Sequence, residues 1–118
     1  MKYTKLQNIK NSYNPLGIIE DIIIGNNWDY EKDKNQNIHV EVGGEWCDYH
    51  LSYGINEDLR LLYISCALDI KIPENKINDV FILLANINEK LKIGHFEVWT
   101  DDSWPVLRQS IPIPLDHK

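Results

Sequence analysis

WCDYHLSYGINEDLRLLYISCALD (Trp46–Asp69) contains two long strand-like runs separated by a polar turn. A helical stretch follows almost at once, opened by Pro73 and closed by Gly94. Strand, turn, strand and helix in that order point to an α+β protein with an antiparallel sheet. One face of that sheet is left polar, and any chemistry has to sit there.

Reading upstream, Asn14 supplies an N-cap and Pro15 occupies the first helical position, where its missing N–H costs nothing. Leu16, Ile19, Ile22 and Ile23 form a helical stripe that Ile18 and Ile24 widen. Strands are expected at Trp28–Lys32 and Asn37–Val42, the second alternating Ile38, Val40 and Val42 against His39 and Glu41. Gly43-Gly44 suits a two-residue hairpin turn with positive φ. That turn pairs Val40 with Cys47, Ile38 with Tyr49 and His39 with Asp48. A turn at Asn56–Leu59 then joins strands Trp46–Tyr53 and Leu59–Ile70 and sets Tyr49 opposite Cys66. With only Asn56 and Glu57 in the turn, Cys47 faces Cys66 instead.

The fourth strand starts apolar on both faces, with Leu59, Leu61 and Tyr63 against Leu62 and Ile64. This is the mark of an inner strand or of a face that meets a partner. In the second helix, Ile77, Val80, Phe81, Leu84, Ile87 and Leu91 make the core stripe. Two last strands, Phe96–Thr100 and Val106–Ile111, flank the turn at Asp101–Trp104. The expected order is α-β-β-β-β-α-β-β with the helices packed on one face. Residues 14–113 form the domain, between a flexible tail at 1–13 and another at 114–118.

Composition narrows the class. Hydrophobic content of 43% and charged content of 25% are those of a soluble globular chain. A net charge of −6 argues against nucleic acid and against an anionic membrane surface, both of which need a basic face. No apolar run is long enough for a signal peptide or a membrane span, so the sequence reads as cytoplasmic with reduced thiols.

Chemistry-bearing residues are few. His39, Glu41, Asp48 and His50 share one outer face, and a zinc site built on His39, Asp48 and His50 is the enzymatic alternative. A solvated polar face is the plainer reading of the same residues. Cys47 and His50 point to opposite faces of a strand, so they make no nucleophile–base pair. Gly43-Gly44 joins two strands, whereas phosphate loops open a helix. Four tryptophans are many for 118 residues. Leu59, Leu61, Tyr63, Trp99 and Trp104 are the candidate protein-binding surface. No catalytic, cofactor-binding or metal residue is assigned.

Three segments then carry a family resemblance: NPLGIIEDIIIGNNW (Asn14–Trp28), GEWCDYHLSYGINEDLRLLYISCALDIKIPENK (Gly44–Lys76) and LLANINEKLKIGHFEVW (Leu83–Trp99). In this order they resemble the YbjN family, described as bacterial sensory transduction regulators, in the form found in alphaproteobacteria. The resemblance implies a fold like that of type III secretion chaperones and a function in binding. On that basis the expected role is a non-enzymatic, regulatory or chaperone-like protein-binding module, often a homodimer. It brings no catalytic residues and no cofactor. Where the family continues into an aromatic-rich C-terminal helix, this sequence runs through Ile111–Lys118 without one. A sheet face of several hundred Å² is therefore expected to be bare, at a cost of roughly 10 kcal/mol unless a partner covers it. The remaining alternative is a structural remnant of a decayed gene, which predicts poor stability and no reproducible partner.

Overall fold

The structure is a computed structural model that describes residues 15–114. The cap expected at Asn14 and the tail expected at 1–13 lie outside that range, as does most of the tail expected at 114–118. The elements are α1 (Pro15–Gly25), β1 (Tyr30–Lys32), β2 (Ile38–Gly43), β3 (Asp48–Asn56), β4 (Leu61–Leu68), α2 (Ile77–Lys90), β5 (His95–Trp99) and β6 (Trp104–Pro112). A short 3₁₀ turn at Glu74–Lys76 leads into α2 behind Pro73. The six strands make one antiparallel sheet in the order β1-β2-β3-β4-β6-β5. The expected α+β class and element order both hold.

Period-two alternation divides the sheet into an apolar and a polar face. On the apolar face, Ile38 and Val40 are buried beneath Ile23 of α1, with Leu16, Ile19, Val42, Leu51 and Tyr53 packed around them. Glu20 fixes that helix in place: its carboxylate accepts a 2.6 Å hydrogen bond from the Tyr30 hydroxyl and lies 3.1 Å from Lys32 Nζ. At the opposite edge α2 packs against β5 and buries Leu84. The Asn88 side chain brackets Phe96, accepting from its N–H at 2.7 Å and donating to its carbonyl at 3.0 Å. Those are outward-facing backbone groups of an edge strand, so the contact also blunts the edge. Between the two helices, β4 and β6 are less well covered. Ile64, Cys66 and Leu107 are half-buried there, and Ile111 is exposed.

Register departs from expectation in two places. Val40 pairs with Leu51, and Ile38 with Tyr53, a slide of four residues. Gly44–Cys47 forms the loop, closed by a 3.0 Å bond from the Gly44 N–H to the Cys47 carbonyl. The slide places Leu51 and Tyr53 under α1 in place of Cys47 and Tyr49, which buries more apolar area. Gly94 is the described glycine with positive φ, so neither Gly43 nor Gly44 uses that freedom. Gly44 is needed for space, because a Cβ there would collide with the Tyr49 ring and lie 2.7 Å from the Cys47 carbonyl oxygen.

The β3–β4 turn spans residues 57–60, with Arg60 at φ 53°, and sets Tyr49 opposite Leu68 rather than Cys66. Cys66 faces Leu51, and both cysteines are free thiols. Burial, with a smaller contribution from Cys47, pushes the Cys66 thiol up. Leu59 lies in this turn and is exposed, not in β4. In α2 the stripe narrows to Leu84 with Ile77, Val80 and Ile87 half-buried, and Phe81 and Leu91 turn outward. A helix lying along a short edge strand has too narrow a floor to bury six side chains. Ile22 of α1, expected in its core stripe, is exposed as well.

Candidate functional site

The polar face carries a row of side chains across five strands: His39, Ser52, Ser65, Arg108 and His95. One step along the strands lies a second row of Glu41, His50, Ala67, Val106 and Glu97.

Asp33, in the loop before β2, organises one end. Its carboxylate accepts from the N–H groups of Asn35 and Asn37, both at 2.9 Å, and from Asn37 Nδ2 at 3.2 Å. His39 Nε2 lies 3.1 Å from Asp33, and His39 Nδ1 lies 3.1 Å from Ser52 Oγ. Gly54 keeps room for this chain, since a Cβ there would meet Asn37 Oδ1 at 2.5 Å. The His39 hydrogen bond, aided by Asn37 and Asn35, outweighs desolvation and holds the Asp33 carboxyl at about 2. Its folded pKa lies below the unfolded value. The stabilisation is therefore complete above the ordinary carboxylate range and is lost as pH falls from about 4 towards 2. An Asp33→Asn variant is expected to flatten the stability profile in that window. Urea midpoints between pH 2 and 5 provide the check.

At the other end, Glu97 lies 3.3 Å from both His95 and Arg108. Burial raises its pKa, but hydrogen bonds from His95, Arg108 and Trp99 outweigh burial and leave the carboxyl below its usual range. Trp104 reaches across β4 to stack on His50, with ring centroids 5.1 Å apart and planes within 11°. His50 Nε2 also lies 3.3 Å from Asp69. Ala67, between the two rings in the ladder, is buried, as is Val106 beside it.

Of the five residues expected to form a protein-binding surface, four lie on this face. Leu61, Tyr63, Trp99 and Trp104 share the polar face, with Trp99 and Trp104 a ladder pair, while Leu59 stands at the hairpin tip. Stacking turns Trp104 inward. The zinc alternative is not assembled. The four-residue slide places Asp48 opposite Gly43, while His39 turns to Asp33 and His50 to Asp69. Among the described residues, no group of three or more His, Cys, Asp or Glu side chains is placed to hold a metal ion. The sequence reading missed Asp33, Ser52, Ser65 and Arg108. Asp33 had a signal in its turn-forming neighbours Asn35 and Asn37, whereas the others needed the correct register.

Two shallow grooves run along this face and share His39 and Ser52. One, of about 550 Å³, runs over β1–β3 between Glu31 and His50. The other, of about 360 Å³, lies between Asn37 and Arg108 over β3, β4 and β6. Only strand residues and the loop ends flanking β1 and β2 line them, so both helices lie on the apolar face.

The model of the YbjN family, "Putative bacterial sensory transduction regulator", matches residues 15–118. The chain belongs to the YbjN family. No curated protein and no solved structure matches it. This YbjN protein has no helix among the described residues long and apolar enough to cross a membrane.

Proposed function

We propose that the protein is a non-enzymatic regulatory module of the cytoplasm that works by binding another polypeptide, and that it is a homodimer. One observation carries this reading. Among the described residues, fourteen large apolar side chains are exposed, while nine hydrophobic residues are buried. Surplus of this kind marks an interaction surface when it is contiguous. On α2, Phe81, Ile82 and Leu83 are each about half exposed or more and fan around the side of the helix away from Leu84.

The occupant of that outer side is a second copy of the chain. Asp79 lies in the first turn of α2 and Lys90 in the last. Two such helices packed antiparallel about a two-fold axis place each acid against the other copy's base, with opposed dipoles. The regulated protein meets the partly covered strip of β4 and β6, and the net charge of −6 favours an apolar segment flanked by basic residues.

A hydrogen-bonded Asp33–His39–Ser52 chain invites a hydrolytic reading, but the surroundings of Ser52 favour the binding one. Ser52 sits mid-strand between two paired neighbours, so the local backbone N–H groups are committed to the ladder. An acyl-transfer site needs such donors free to hold the developing oxyanion.

Ile82→Asp tests the dimer. The substitution is on an exposed position, so the fold should survive, and the expected result is a shift in gel-filtration elution from dimer to monomer. Unchanged elution at dimer size would show that α2 is not the contact.

A further inference from the structure

The groove between Asn37 and Arg108 has features that neither the dimer nor partner docking uses. Its floor is two hydroxyls, Ser52 and Ser65, directly opposite each other on β3 and β4. One wall is the chain in which Asn37 holds Asp33, Asp33 holds His39, and His39 meets Ser52. The opposite wall is Arg108 locked to Glu97 at 3.3 Å, with the indole of Trp99 beside them and partly exposed. Both walls are fixed by hydrogen bonds within the protein, so the groove is organised before anything binds.

Charge decides what fits. Arg108 is matched by Glu97, and Asp33 stands behind His39, so an anion entering here meets two carboxylates against one guanidinium. A cation meets Arg108. Neither is favoured. Hydrogen-bonding capacity remains plentiful and of both kinds: the Ser65 and Tyr63 hydroxyls have no protein partner among the described residues, and Arg108 keeps N–H groups beyond the one given to Glu97. A flat indole beside mixed donors and acceptors suits a ring that is apolar on its faces and hydroxylated at its edge.

We propose that this groove binds a neutral polyhydroxylated ring of the sugar type, seated against Trp99 with its hydroxyls on Ser65, Tyr63 and Arg108. The neighbouring groove, continuous through His39 and Ser52, gives room for a second ring of the same ligand. Being a property of the polar face, this site stands or falls independently of α2 and the apolar strip.

The test is a titration of the full-length protein with glucose, galactose, mannose and maltose, followed by the Trp99 indole N–H resonance. Benzoate and spermidine serve as charged comparators. The expected result is a saturable shift with at least one neutral sugar, with a Kd of roughly 1 mM, typical of a shallow site. Trp99→Ala should abolish saturation seen by other groove resonances, and Ser65→Ala, a small change that leaves the fold intact, should weaken binding by about fivefold, as expected for one lost hydrogen bond. Trp46→Ala, on the exposed β2–β3 loop, should bind as the parent does. No saturable shift with any neutral sugar would overturn the proposal. So would a response to benzoate or spermidine alone, or binding that survives both groove substitutions unchanged.

Discussion

Replacing Ile38 with alanine is expected to destabilise the protein by about 3–4 kcal/mol, at the upper end for a buried aliphatic truncation. Ile38 has no solvent exposure, and Ile23 and Val40 complete its cluster. Its ladder neighbours are Lys32 on β1 and Tyr53 on β3. The first of these is already held by Glu20, so the strand cannot collapse inward without breaking that ion pair. The cavity therefore stays open, and its cost adds to the lost transfer energy. Leu84→Ala should cost less, because α2 lies on an edge strand and can relax toward the sheet. Urea unfolding of both variants, with unchanged m-values, gives the comparison. A loss below about 1 kcal/mol at Ile38 would show that α1 and β2 do not form the core.

Enlarging a small residue should be nearly as damaging at one position. Ala67 is 1% exposed on the polar face, in the ladder between His50 on β3 and Val106 on β6. Trp104 crosses above it to stack on His50. Leucine at position 67 would occupy the space of the indole and force Trp104 off its rotamer, with a loss of about 1–3 kcal/mol. Tryptophan fluorescence should shift to longer wavelength as Trp104 becomes solvated. A leucine variant with parental stability and fluorescence would mean that the ring does not cover this position.

Much of the fold was readable because alternation is strong. Ile38, Val40 and Val42 against His39 and Glu41 assign β2 and both its faces without reference to a partner. Register was less legible, for a physical reason. The side-chain period is two, so slides of four and two residues leave every residue on its expected face and disturb no pattern. What distinguishes the registers is which apolar side chains meet under α1, and how Tyr49 lies over Gly44, both of which are tertiary facts.

The polar-face site suffered most from this. His39 meets Ser52 only in the true register, and Asp33 joins them only through a loop turned by Gln36 at φ 70°. Trp104 looked like an exposed anchor because the sequence does not show that it reaches two strands away to His50. The helix stripes were overfilled for a related reason. Periodicity reports which way a side chain faces along a helix, and it says nothing of how wide a floor lies beneath. Phe81 and Leu91 find no such floor and stand exposed.

Light scattering of the purified full-length chain at roughly 50 μM, a concentration at which an interface of standard size should be occupied, tests the central claim most directly. A mass of twice the 13.8 kDa chain is the predicted result. A single-chain mass, with no binding of a dye specific for apolar surface, would contradict it.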